Sequence, residues 1–250
     1  MPTYNDDTYN AYQMLGESMI GKHMVTADAL NVRSTASSKA KIIDKMKEGT
    51  VINITKVNEY EEYCEIIYAY HNNLRKGFVS RNYLSGLFIT DENFKGYMKI
   101  DNVEQNGLLQ HRMKLVEITP LGRREIYDKT MHPRGWVALD ILKPEGVDNL
   151  ERVIKISSDD EDSCSGFQSV SHLIQGPIYT SSLPDFSYLE EDMKGDSLFE
   201  LQFPTDALGE PNKFVIVKGS AIEFEKGNYS NAKKVMSLDW DGRRLNHLNN

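Results

Sequence analysis

The sequence predicts a mainly β protein built from more than one small domain. Leu30 and Val32 alternate with Asn31 and Arg33, the period-two pattern of a strand buried on one face. Residues 51–55 (Val51-Ile52-Asn53-Ile54-Thr55) and residues 63–68 are rich in β-branched and aromatic side chains, which pack well on a pleated surface. Short runs of this kind, separated by turn signals, predict a closed all-β unit of about 65 residues. A chain of 250 residues is too long for that unit alone, so further domains are expected.

In chain order, Asp6 or Asp7 can cap a helix on which Tyr9, Tyr12, Leu15 and Met19 share one face. A helix within residues 1–22, packed on the first barrel, is expected. Residues 34–38 are polar and suit a loop. Ile42, Ile43 and Met46 lead to Gly49, which can turn the chain at positive φ.

Three stations now stand in order: Leu30-Asn31-Val32-Arg33-Ser34, Lys47-Glu48-Gly49-Thr50, and Lys76-Gly77-Phe78-Val79-Ser80 followed by Asn82-Tyr83-Leu84. At these separations they resemble the bacterial SH3-like (SH3b) domain. The resemblance covers about a fifth of the chain and implies an SH3-like β-barrel over residues 23–86. It also implies a non-enzymatic binding module for a peptide or a peptidoglycan fragment. By position, Tyr60, Tyr63 and Tyr83 are candidates to line an aromatic groove, with Asn31 and Arg33 on the opening strand. Phe78 and Leu84 read as core, and Arg33 also reads as a structural hydrogen-bond donor.

Residues 87–144 partly repeat the pattern. Tyr97 to Ile100, Lys114 to Ile118 and Arg124 to Tyr127 alternate like strands. Arg134-Gly135-Trp136-Val137-Ala138-Leu139-Asp140-Ile141-Leu142 keeps the base, glycine, aromatic, valine and final leucine of residues 76–84 in register. A second, degenerate SH3-like barrel is therefore expected here, ending at the break Lys143-Pro144-Glu145-Gly146. Residues 145–250 read as a β-rich C-terminal domain of no recognised family. Its expected strands start at Val153, Phe199, Phe214, Ala221 and Val235, and Asp241-Gly242 supplies a hairpin-type turn.

One word in that region looks catalytic. Asp162-Ser163-Cys164-Ser165-Gly166-Phe167 resembles the nucleophile word of NlpC/P60 cell-wall cysteine peptidases. In that family a helix N-terminus stabilises the thiolate and a histidine completes the base. Residues 167–174 would be the helix and Cys164 the nucleophile. Ser163 is inserted into the word, however, and residues 212–217 carry no histidine where the family's base opens a strand. His172 lies eight residues after Cys164, two helical turns away and out of its reach. The enzyme is the alternative reading, in an inactive form.

Composition narrows the rest. Net charge is −8, yet residues 157–200 hold ten acids against Lys194 and carry −9, so the remainder sums to +1. No basic face dominates, which argues against nucleic acid. The acidic run Asp159, Asp160, Glu161, Asp162 reads as a solvated loop rather than a calcium loop, whose carboxylates alternate around a glycine. A protein partner docked on that acidic region, as in an inhibitor or immunity-type protein, is a third reading. Cys64 and Cys164 read as free buried thiols, and the scattered histidines suggest no metal site; no cofactor is implied. No stretch reaches the ~18 apolar residues of a membrane helix, and the N-terminus lacks a signal-peptide pattern. A native chain would then be cytoplasmic; one with its leader removed would be periplasmic or extracellular.

Overall fold

The computed structural model describes residues 11–14, 20–57, 62–71, 73–105, 108–131, 136–142, 145–160, 167–176, 186–192, 197–220, 224, 226–242 and 245–247. The chain divides into two units: Ala11–Met131, and His132–Asn250 with Met1–Asn10. The mainly β expectation holds in both. Ala11–Met14 is strand β1, which replaces the helix expected within residues 1–22. Tyr9, Leu15 and Met19 lie outside the described residues.

In the first unit, β2 (Gly21–Val25), β3 (Ala29–Arg33), β4 (Ile42–Lys47), β5 (Val51–Val57), β6 (Tyr63–Tyr70), β7 (Asn73–Ser80) and β8 (Leu84–Ser85) form one sheet. Its order is β4-β3-β7-β6-β5-β2-β8. Six of these strands send residues into one core: Val25, Leu30, Val32, Met46, Ile52, Ile54, Cys64, Ile66, Tyr68 and Val79. Laid flat, seven strands would spread over about 29 Å. A shared core therefore requires the sheet to curl on itself. Gly49, at φ +75°, makes the turn between β4 and β5 and donates its N–H to the Val25 carbonyl at 2.8 Å. Cys64 is a free, buried thiol, and burial raises its pKa to about 11.

The same unit continues through β9 (Phe88–Asp91), β10 (Phe94–Gln105), β11 (Leu108–Thr119) and β12 (Gly122–Met131), an antiparallel meander in the order β12-β11-β10-β9. Met24 leaves the opposite face of β2 to pack with Phe88, Tyr97 and Val116. Both faces of β2 are thus buried, one by the curled sheet and one by the meander.

The stretch expected to close a second barrel copy, Trp136–Leu142, is β13. It pairs with β14 (Arg152–Asp160) in a sheet separate from β9–β12. A glycine-aromatic-valine word fits any half-buried strand, so sequence alone could not choose its neighbour. In the second unit, β13, β14, β15 (Phe167–Gln175) and β16 (Phe186–Asp192) run as consecutive antiparallel neighbours. A second sheet takes β17 (Ser197–Gln202), β18 (Lys213–Ser220), β19 (Lys233–Trp240) and β20 (Leu245–His247) in chain order. Val153 and Ile174 of the former share a core with Leu201, Phe214, Ile216, Leu238 and Trp240 of the latter.

Two expectations change here. Asp159 and Asp160 end β14, paired with Gln168 and Phe167, rather than opening a loop; Glu161 and Asp162 lie outside the described residues. Separate strands were expected from Phe214 and from Ala221, and the residues between them, Lys218-Gly219-Ser220, belong to β18, which ends at Ser220.

Candidate functional site

The strands of the curled sheet place one set of side chains inward and the alternate set outward. On β3, Leu30 and Val32 enter the core, which leaves Ala29, Asn31 and Arg33 outside. On β6, Cys64, Ile66 and Tyr68 are buried and Tyr63 is outward. Tyr63 pairs with Ser80 across β6 and β7, and Arg33 pairs with Phe78 across β3 and β7.

After Ser80 the chain makes a single 3-10 turn, Arg81–Tyr83. The Tyr83 carbonyl accepts the Thr26 N–H at 2.9 Å, which fixes that turn beside the link from β2 to β3.

These segments enclose a cleft of about 440 Å³, lined by Ala27, Asp28, Ala29, Leu30, Asn31, Arg33, Tyr63, Ser80 and Tyr83. Its volume falls within the range of about 300–1,000 Å³ typical of ligand pockets. Four of the five residues singled out from sequence, Asn31, Arg33, Tyr63 and Tyr83, come together in it. Tyr60 lies outside the described residues. Phe78 is half-buried on the outward face, while Leu84 packs against the core as expected.

Two of the lining side chains are held by hydrogen bonds. Arg33 Nη1 donates to the Ala40 carbonyl at 2.8 Å, so the structural role expected of this side chain coexists with its place on the cleft. Ser80 Oγ donates to Glu62 Oε1 at 3.1 Å. Tyr83 is half exposed, so its ring presents area to solvent.

Asp28, which the motif reading missed, is ion-paired with Arg123 of β12. Arg123 Nε also meets Glu48 at 2.5 Å, and Glu48 accepts the Tyr97 hydroxyl at 2.8 Å. Burial, then the bond to Glu48, drives the Tyr97 phenol far above its ordinary pKa. Ser80 ends a recognised word, and Ala27 and Asp28 lie just before the one that opens at Leu30; that position was the only sequence signal for them. Nothing in the sequence links Arg123 to Asp28 across 95 positions.

The lining has no cysteine or histidine, so the cleft offers aromatic area, an amide, a guanidinium and a carboxylate rather than a thiol–imidazole pair. Cys164 lies outside the described residues. The segment expected to form its helix is strand β15, whose ladders to β14 and β16 hold Phe167–Gln175 extended. His172 stands in that strand opposite Lys155 and Leu189, 3% exposed, and burial lowers its pKa to about 3.

Among the described residues no group of three or more His, Cys, Asp or Glu side chains could hold a metal ion, and no helix is long and apolar enough to cross a membrane. No curated protein matches the chain. Residues 28–85, which supply the three motif stations and all but one of the residues lining the cleft, match the family model of the bacterial SH3 domain.

Proposed function

We propose that the protein is a non-enzymatic binding protein whose bacterial SH3 domain takes a short peptide, or the peptide portion of a cell-wall fragment, in the cleft between β3 and the Arg81–Tyr83 turn. Bacterial SH3 domains are typically non-catalytic binding modules, and this one belongs to a mainly β chain. The observation that carries the reading is the convergence of Asn31, Arg33, Tyr63 and Tyr83 on one cleft from three separate stretches.

The chemistry suits a peptide. Tyrosine rings supply large contact area at low conformational cost. The Asn31 amide can both donate to and accept from a peptide bond, and the Arg33 guanidinium adds directed donors. A ligand lying along β3 would place its backbone beside the polar groups and its side chains against the rings.

The test is retention on purified peptidoglycan, with affinities for muramidase-released muropeptides measured by calorimetry. Wild type is expected to bind without cleaving. Tyr63→Ala and Tyr83→Ala are expected to lose about tenfold or more each, with circular dichroism unchanged. Undiminished binding in both variants would exclude the cleft.

A further inference from the structure

We infer that the cleft reads its ligand directionally, taking a carboxylate end on the exposed lysines of β4. The inference rests on the cleft being the peptide site and adds the charge that the peptide must carry.

The register of β3 and β4 carries it. Lys47 stands opposite Ala29 and Lys45 opposite Asn31, with Leu30 opposite Met46 between them. Residues directly opposed on neighbouring strands share a face and stand about 5 Å apart at Cβ. Leu30 and Met46 are in the core, so Lys45 and Lys47 share the outer face with the cleft-lining Ala29 and Asn31. Both lysines are exposed, and β4 is an edge strand with no further neighbour in its sheet.

With Arg33, this flank presents three cations beside a cleft in a protein of net charge −8. Among the described residues, neither Lys45 nor Lys47 forms an ion pair.

The nearby acids do not cancel that charge. Asp28 is engaged by Arg123. Asp44 stands opposite Val32, and so belongs to the inner-facing row rather than the cleft face. Glu48 is taken up by Arg123 and Tyr97. Across the cleft, on the β6–β7 side, Glu62 accepts the Ser80 hydroxyl, and its carbonyl accepts the N–H of the basic Arg81. The flank of the cleft along β4 is therefore basic. A peptide with a free carboxylate complements that flank.

The experiment uses the full chain and muramidase-released muropeptides in two forms, untreated and with their carboxylates converted to amides. Wild type is expected to bind the untreated form about tenfold more tightly, and that preference should shrink as salt rises. The double variant Lys45→Gln/Lys47→Gln, altered only at exposed side chains, should bind both forms equally. Lys45→Arg/Lys47→Arg should restore the preference.

Equal binding of the two forms by wild type, or a preference that survives in the glutamine variant, overturns the directional inference and leaves the cleft reading standing. Failure of wild type to bind either form overturns both. Binding of the untreated form that survives Tyr63→Ala with its preference intact moves the site away from the cleft and overturns both as well.

Discussion

Arg123, on the meander, forms an ion pair with Asp28, on the wall of the SH3-domain cleft. The same guanidinium reaches Glu48 through Nε, and Glu48 accepts the Tyr97 hydroxyl. The meander thereby anchors the link between β2 and β3, where the cleft begins. Arg123→Gln removes the ion-pair partner of Glu48, whose side chain is only 14% exposed. The expected loss is about 1 kcal/mol, set by Glu48 because the pair with exposed Asp28 adds little. A lower urea midpoint with unchanged secondary structure would show it.

Tyr97→Phe deletes the hydroxyl that donates to Glu48 and leaves the ring in its packing with Met24, Phe88 and Val116. A loss of about 1 kcal/mol is expected. Both changes act on one carboxylate, so the double variant Tyr97→Phe/Arg123→Gln should not equal the sum of the singles. A double-mutant cycle by urea unfolding measures the difference.

Gly77→Ala tests the closeness of β7 to β3. A Cβ at this position would lie 2.3 Å from Val32 Cγ1. Val32 is fully buried and cannot swing away, so overpacking should cost about 1–3 kcal/mol. Adding Val32→Ala should return part of that loss, because it removes the obstructing methyl groups. Thermal melts of the two variants against wild type decide it.

Phe214→Ala should be the more damaging change in the C-terminal unit. Its ring is fully buried and meets Phe203 and Trp240 edge-on, with centroids 5.8 and 6.4 Å away. Losing it should cost about 3–5 kcal/mol. Trp240 fluorescence would follow the unfolding of this unit directly.

His172 predicts an acid weakness. Its folded pKa, about 3, lies below the ordinary 6.5 because burial disfavours the imidazolium. Below pH 6.5 the unfolded chain binds a proton that the folded chain does not, so stability falls as pH drops from 6.5 toward 3. Half-buried Asp140 and Glu200, whose carboxyls burial pushes upward, act in the opposite sense nearer the ordinary carboxylate range. Buried His23, whose pKa burial also lowers, acts in the same sense as His172, so the share of His172 is the part that its substitution removes. His172→Gln should flatten the slope of the urea midpoint between pH 6.5 and about 5, and an unchanged slope would assign it to other groups.

How far the sequence could be read depended on how local each signal was. Leu30-Asn31-Val32-Arg33 announces its strand because inward and outward residues alternate within four positions. The same alternation is enough to assign Asn31 and Arg33 to the outer face. Residues 167–174 misled because residues 170–174 are buried on both faces of the strand and so display no period-two pattern. Serines and aliphatics there fit a helix equally well until β14 and β16 claim the backbone. Trp136–Leu142 misled for a related reason: its pattern is that of a strand, but nothing in it names the strand beside it.

By itself the sequence determined the mainly β class, the SH3 domain over its three stations, and four of the cleft residues, because those follow from short-range periodicity and turn chemistry. Tertiary structure alone decided that Asp28 is engaged by Arg123, that Lys45 and Lys47 join the cleft face, and that β13 belongs with β14. Each of these depends on which strands become neighbours and in what register. That choice is made by burying whole faces against one another, an energy summed over residues far apart in the chain.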